Sequence, residues 1–216
     1  MVRILIADDH ALVRDGLHHI LRKAQGFDVV GEAADAAGVM ALVEREHADV
    51  LLLDLSMPGG NGLDLIRKIT LLRPGLKVLV LTMHAEQQYA VRAFKAGASG
   101  YLTKESASAE LVNAVSRIAE GHVYVSTSMA ENLARALTRP TGAEGARPES
   151  LSDRELDVYR RIVDGESLAQ IAVALTVSPK TVSTYKARLL EKMQMGSDAA
   201  LIRYAVKHAL FDADDS

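Results

Sequence analysis

The chain has 216 residues, 49% of them hydrophobic, which is more than the roughly 100–150 residues of one ordinary domain and enough apolar material for two cores. The net charge is −3, so any nucleic-acid surface must be local rather than global. There is no cysteine, which excludes disulfides, thiol catalysis and Cys-ligated zinc. Apolar runs such as Val50 to Leu53 fall far short of the roughly 20 residues that span a bilayer. Met1 leads straight into a strand-like run without a signal-peptide pattern, and the expectation is a soluble cytoplasmic protein.

Residues 1–121 alternate short apolar runs with helical periodicity. Strands are predicted at Arg3–Ala7, Asp28–Glu32, Val50–Leu53, Lys77–Leu81 and Gly100–Leu102. Several lack polar alternation, as strands covered on both faces do. Helical spacing appears between them, as in Leu12, Leu17, Ile20 and Leu21, and a fifth helix, Glu110–Ala119, closes the unit. This pattern predicts a doubly wound, five-stranded parallel α/β sheet. Ligands of such sheets bind beyond the carboxyl ends of the strands.

Residues 122–150 are predicted to connect the two halves. Ser126–Leu137 has some helical character, and Thr138–Ser150 is a Pro-, Gly- and Ala-rich linker. Residues 151–211 read as a small all-α domain of four helices. Ser152-x-x-Glu155 and Ser167-x-x-Gln170 are capping boxes, Ser178-Pro179 opens a third helix and Ser197-Asp198 a fourth. Residues 212–216 form an acidic tail. Local charge differs between the halves: 13 Lys and Arg against 15 Asp and Glu in 1–121, but 9 against 7 in 151–210.

Three carboxylates fall at strand ends, Asp8 and Asp9 after the first strand and Asp54 after the third. Thr82 follows the fourth and Lys104 the fifth. The predicted topology brings all five to one edge of the sheet. Clustered carboxylates repel, and a hard cation such as Mg²⁺ relieves the repulsion. Asp54 can then act as a nucleophile toward phosphorus, with Lys104 offsetting charge on the phosphoryl oxygens and the Thr82 hydroxyl moving to bond one of them. Taken singly, each residue has an ordinary role, and Asp9 in particular would serve as an N-cap for the helix that starts near Ala11.

In the second half, Leu168–Leu175, the turn Thr176-Val177-Ser178 and Pro179–Met193 form a helix-turn-helix pattern. At about 100° per residue, Val182, Leu189 and Met193 cluster on one face of the second helix. The opposite face gathers Lys180, Ser183, Thr184, Ala187, Arg188 and Glu191. Residues 179–192 carry Lys180, Lys186, Arg188 and Lys192 against Glu191, a local +3. Such a helix suits a major groove, its cations and hydroxyls meeting phosphates. A solvated helix face and a packing motif are the ordinary alternatives.

Residues 1–121 resemble the receiver domain of two-component response regulators. The likeness rests on IADDH at 6–10, LLDLSMPGGNG at 52–62, VLT at 80–82 and GASGYLTK at 97–104. It implies that Asp54 accepts phosphate from the phosphohistidine of a sensor histidine kinase. It further implies that Asp9, Asp54 and the Ser56 carbonyl bind Mg²⁺, with Asp8 acting through water. Thr82 and Tyr101 would form a switch pair, and Lys104 would bridge to the phosphate. Glu105 stands where many receivers have proline.

Residues 151–193 resemble the LuxR/FixJ-type helix-turn-helix through Arg154-Glu155, Gly165, Ile171-Ala172, Lys180-Thr181-Val182 and Lys192-Met193. A receiver followed by this domain is the NarL/FixJ layout. That resemblance implies DNA contacts from Lys180, Thr181, Ser183, Thr184, Lys186, Ala187, Arg188 and Lys192. Ser183 and Ala187 stand where some members have basic residues. The implied partners are the kinase, promoter DNA, a second copy of the chain when phosphorylated or DNA-bound, and RNA polymerase, with no membrane. The final helix, Asp198–Leu210, would pair two DNA-bound domains, while Leu201 and Ile202 equally suit core packing. Two rivals stand beside this regulator: a phosphohydrolase with an aspartyl-phosphate intermediate, and a regulator that signals without phosphorylation. Such a hydrolase usually carries a second acid two residues from its nucleophile, and none stands there around Asp54.

Overall fold

A computed structural model describes residues 1–83, 87–126, 129–130, 148–208 and 210. The chain divides into two compact units, Met1–Leu137 and Thr138–Ser216. The predicted linker stretch 138–147, most of the helical stretch 126–137 and the acidic tail 212–216 lie outside the described residues. Among the described residues, no helix is long and apolar enough to cross a membrane.

The first unit runs β1 Val2–Ala7, α1 Ala11–Lys23, β2 Phe27–Ala33, α2 Ala36–Arg45, β3 Val50–Asp54, α3 Gly62–Leu72, β4 Lys77–Thr82, α4 Gln87–Ala96, β5 Gly100–Thr103, α5 Lys104–Ala119 and β6 Tyr124–Val125. The strands lie in the order β2-β1-β3-β4-β5-β6, and every pairing is parallel. Parallel strands need crossover helices, which cover both faces and explain the unbroken apolar runs. Ile4, Ile6, Val50, Leu52, Leu79 and Leu81 pack with Leu17 and Leu21 of α1 and Leu111, Val115 and Ile118 of α5. The alternate residues Leu5, Leu51, Leu53, Val78 and Val80 are equally buried, as the period of two requires. Each such side chain contributes about 1.5–3 kcal/mol of transfer free energy.

Three local details differ from the sequence reading. The sheet has a sixth strand: Gly121 ends α5 with a φ of 91°, and the chain returns so that Tyr124 pairs with Gly100. The parallel sheet therefore continues past residue 121, and the Tyr124 hydroxyl donates to Glu110 Oε2 at 2.6 Å. Helix α5 starts at Lys104 rather than Glu110, because the Thr103 hydroxyl accepts the Ser106 N–H. Its first turn, KESAS, carries no apolar stripe that periodicity could detect. Asp9 does not cap α1; His10 holds the cap position without a side-chain cap bond.

The loop after β3 is held tightly. A Cβ on Gly62 would lie 2.7 Å from the Leu55 carbonyl oxygen and 2.8 Å from its Cα, so only glycine lets the loop fold back here. Asn61 then caps α3 by accepting the Asp64 N–H at 3.0 Å.

The second unit holds α6 Asp153–Val163, α7 Leu168–Ala174, α8 Pro179–Lys192 and α9 Asp198–His208. Both expected capping boxes form, and Ser178 caps α8 ahead of Pro179. The C-termini share one device. Val177 N–H reaches Ala172 O and Thr176 N–H reaches Val173 O, with Thr176 at φ 55°. This double bond pattern is a Schellman motif, and it makes the sharp turn between α7 and α8. The same pattern closes α6 at Gly165 and α8 at Gln194, which has φ 52°. Leu156, Tyr159, Ile171, Val182, Leu189, Met193, Leu201 and Ala205 are buried. Leu201 therefore serves the core, while Ile202 is half-buried. The Tyr159 hydroxyl donates to the Leu201 carbonyl at 2.9 Å, fastening α9 to α6.

Glu155 is the polar staple of this unit. Its side chain is 4% exposed and lies 2.7 Å from Lys192 Nζ, and Oε2 also accepts the Ser152 N–H. Burial alone would raise its pKa, but Lys192 and the Ser152 N–H outweigh it and hold the carboxyl below the usual value. A depressed carboxylate contributes stability above its unfolded pKa of about 4.3 and loses it as pH falls through the lower folded value. Glu155→Gln is therefore expected to cost about 1–2 kcal/mol at pH 7, with the gap to wild type closing on acidification below pH ~4.3. Urea unfolding followed by circular dichroism across that pH range measures both. At Thr176 a β-branched residue sits in the left-handed region, where strain is about 1–2 kcal/mol. Thr176→Gly is expected to raise the stability of this unit by up to about 1 kcal/mol in the same assay, and a loss would refute the strain.

Candidate functional site

Strand register assembles the acidic pocket. Ala7 lies opposite Leu53, so Asp8 comes level with Asp54; Asp54 lies opposite Leu81 and Thr82 opposite Thr103, one residue before Lys104. All sit at the carboxyl edge of the sheet. Asp8 is 1% exposed, Asp54 and Thr82 each 2%.

The Lys104 ammonium joins the two buried carboxylates, 2.8 Å from Asp54 Oδ2 and 2.7 Å from Asp8 Oδ2. The Asp54 contact is an aligned hydrogen bond. The Asp8 contact is an ion pair off that alignment, and among the described residues Asp8 Oδ2 lacks a hydrogen-bond partner. Asp54 Oδ1 accepts the Ser56 N–H at 2.9 Å. Burial pushes the Asp54 carboxyl above its ordinary pKa, with Asp8 adding to the rise; Lys104 and the Ser56 N–H pull the other way without cancelling it. Burial would lower the Lys104 pKa, but the adjoining Asp54 and Asp8 carboxylates leave it raised.

Ligand atoms of Asp8, Asp9, His10 and Asp54 all lie within 4.8 Å of one another. Three carboxylates with a buried oxygen that has no hydrogen bond form a donor set suited to a hard divalent cation, which prefers oxygen ligands. The Ser56 N–H is engaged with Asp54, and Tyr101 is 1% exposed on β5, level with Val80.

The sequence reading missed His10, Arg14, His18 and Glu32. His10 Nδ1 is 2.9 Å from Asp9 Oδ1, and the His10 backbone N–H donates to Asp8 Oδ1. Arg14 donates through Nη1 to the Asp8 carbonyl and through Nε to Glu32, which also meets His18 Nε2 at 2.6 Å. His10 sits inside the IADDH motif and was open to inspection there. The Arg14–Glu32 pair spans α1 and β2 and has no signal in chain spacing.

On α8 the structure separates the predicted residues into two groups. Lys180, Ser183, Thr184, Ala187 and Arg188 are exposed, and Thr181 is half-buried with its hydroxyl 2.8 Å from Ser178 Oγ. Lys186 and Lys192 are engaged within the unit, Lys186 with Asp198 at 2.6 Å and Lys192 with Glu155. The +3 of the helix is thus partly consumed by packing, and Lys180 and Arg188 are its outward cations. Lys186–Asp198 and Glu155–Lys192 tie α8 to α9 and α6, which fixes the pose of the exposed face.

Comparisons with known proteins agree with this geometry. The response regulator receiver domain family matches residues 4–116, and the luxR family of bacterial regulatory proteins matches residues 149–205. The chain is 36% identical over 214 residues to the response regulator UvrY of Escherichia coli K12, covering 99% of this chain and 98% of that protein. It is also 36% identical to the response regulator GacA of Pseudomonas aeruginosa over 213 residues, 99% of each chain. Among solved structures, RcsB of Salmonella enterica serovar Typhimurium, bound to the promoter P1flhDC in the presence of the phosphomimetic BeF3⁻, superimposes with a TM-score of 0.72 at 29% identity. That match covers 95% of this chain and 98% of RcsB. With a receiver ahead of a luxR-type helix-turn-helix over nearly its whole length, the chain belongs to the NarL/FixJ family of two-component response regulators, which control transcription in response to phosphorylation.

Proposed function

We propose that Asp54 is the phosphoacceptor of this regulator and that its phosphorylation governs promoter binding by α8. The observation that carries the proposal is the Lys104 ammonium held between the buried carboxylates of Asp8 and Asp54. An Asp54 oxygen attacks phosphorus in line with the phosphohistidine P–N bond. As the new O–P bond forms, the P–N bond breaks and its electron pair returns to the imidazole of the sensor kinase. Lys104 stays beside the transferred group and offsets its charge. Asp9, Asp54 and the Ser56 carbonyl would hold Mg²⁺, with Asp8 supporting it through water. When bound, that cation neutralises charge on the phosphoryl oxygens. We set the domain limits at 1–121 and 151–211, a division supported by family matches over 4–116 and 149–205, with the sheet carried on to Val125.

Phosphorylation adds about −1.5 to −2 charge where Lys104 now pairs with two carboxylates. Lys104 and the Thr82 hydroxyl turn to the phosphoryl oxygens. Because Tyr101 is already buried, the phosphate holds it inside rather than drawing it from the surface. Full switching of a two-state equilibrium needs about 5.5 kcal/mol of differential interaction, within reach of a buried charge change of this size. The downstream events are pairing with a second copy, docking of α8 in the major groove and engagement of RNA polymerase. Lys180 and Arg188 meet phosphates, with Thr181, Ser183, Thr184 and Ala187 toward the groove. Lys186 and Lys192 support that face from within. We take the chain to act as a regulator and not as an enzyme, since positions 52 and 56, two residues either side of Asp54, hold Leu and Ser where such a hydrolase carries its second acid.

Acetyl phosphate with Mg²⁺ should produce one slower band on Phos-tag gels, mapped to Asp54 by mass spectrometry and absent in Asp54→Ala. A band that survives in Asp54→Ala would move the acceptor, and equal promoter affinity with and without acetyl phosphate would refute the coupling. For DNA binding, Lys180→Ala and Arg188→Ala should each reduce the slope of log K against log[salt] by about 1. Lys192→Ala should instead lower the unfolding midpoint. Unchanged slopes in both outward variants would remove those cations from the phosphate contacts.

A further inference from the structure

The chain leaves strand geometry where its first two carboxylates stand. In a strand, successive side chains point to opposite faces. Ligand atoms of Asp8 and Asp9 nevertheless lie within 4.8 Å of one another, and the chain bends at Asp9. The peptide that joins these two residues must therefore be held in a turned position. On one side β2 holds it, since the Asp8 N–H donates to the Ala33 carbonyl at 3.1 Å. On the other side the pairing of β1 with β3 ends at Ala7, so the Asp8 carbonyl lies beyond the last paired residue. Arg14 supplies the missing donor from α1, its Nη1 lying 2.7 Å from that carbonyl oxygen.

Arg14 is itself aimed. Its Nε donates to Glu32 Oε2 at 2.9 Å, and Glu32 Oε1 lies 2.6 Å from His18 Nε2, one turn further along α1. One carboxylate on β2 thus braces two side chains of α1, and the rigid guanidinium fork carries that alignment through to Nη1. Partly exposed ion pairs of this kind add little stability; the Arg14 side chain is 20% exposed and that of Glu32 40%. What sets this pair apart is where its remaining contact falls, on the peptide between two carboxylates of the cation site. Mg²⁺ demands near-octahedral placement of its oxygen ligands, so a small rotation of that peptide is costly to binding. We infer that Arg14, braced by Glu32 and His18, is a positioning residue for the divalent cation, holding Asp8 and Asp9 turned toward one point. This rests on the Mg²⁺ reading given above and adds to it a group outside the pocket that sets how tightly the cation is held.

Charge and positioning predict opposite signs. By charge alone, removing the Arg14 cation would tighten Mg²⁺ binding; loss of positioning weakens it. The test is an NMR titration of the full-length protein with MgCl₂, following amide shifts of the residues around Asp8, Asp9 and Asp54. Arg14→Ala is expected to weaken Mg²⁺ binding about tenfold, the lower end of what partners of metal ligands contribute. Glu32→Gln, which leaves the guanidinium without its charged brace, should give a smaller loss in the same direction. The Mg²⁺ concentration for half-maximal phosphorylation by acetyl phosphate should rise in step, with a much smaller change in the rate at saturating Mg²⁺. Amide shifts far from the pocket report whether each variant keeps its fold, and Arg14→Gln, which retains most of the stem, repeats the measurement if Arg14→Ala does not. Unchanged or tighter Mg²⁺ binding in a folded Arg14 variant would overturn the inference. A wild-type protein whose pocket amides ignore MgCl₂ would refute the cation reading itself.

Discussion

The receiver unit depends on one arrangement: an ammonium held between two carboxylates that burial would otherwise force apart. Asp8 and Asp54 stand side by side on neighbouring parallel strands, 1% and 2% exposed. Two such charges in a low-dielectric site repel, and one of them would take up a proton. Lys104, 2.7 and 2.8 Å from them, keeps the pair tolerable. The compensation is incomplete, since the Asp54 carboxyl stays raised and one Asp8 oxygen has no hydrogen bond. A pocket left in that condition favours an added cation and then a phosphoryl group, each of which gives its charges a better partner. The resting state is thus already biased toward the chemistry proposed for it.

The second unit spends charge differently. A helix with four basic residues looks like a polycation along the chain, but two of the four fasten it to its neighbours. Lys192 meets Glu155 and Lys186 meets Asp198. Partly buried pairs of this kind set geometry better than they add stability. They leave an outward face that includes two cations, two hydroxyls and a methyl. The Schellman turn at Thr176 has the same purpose, since it sets the angle between α7 and α8 at the expense of a strained residue.

Much of this was open to reading along the chain. Unbroken apolar runs such as Val50 to Leu53 identify covered parallel strands, and the βα alternation identifies the winding. The capping boxes at Ser152 and Ser167 and the Ser178-Pro179 start mark helix origins through local bonds that require no tertiary context. Asp8, Asp54, Thr82 and Lys104 were placed together because parallel topology makes every strand end at the same edge. The parts that escaped were those without a periodic signal: the polar first turn of α5, the two-residue strand Tyr124–Val125, and His10, whose contacts with Asp8 and Asp9 depend on the loop's folded geometry.

By itself, then, the sequence determined the class of the five main strands and of the helices, the starting caps of α6, α7 and α8, and the set of carboxylates and cations brought to one sheet edge, because these follow from periods and bonds a few residues long. Tertiary structure alone decided the pairing. It put Lys104 on both Asp8 and Asp54, Arg14 on both the Asp8 carbonyl and Glu32, and Lys192 on Glu155. These partners lie from 6 to 96 residues apart, and register and helix crossing, not spacing, bring their atoms within bonding distance. Which cations remain free for DNA is for that reason a property of the fold.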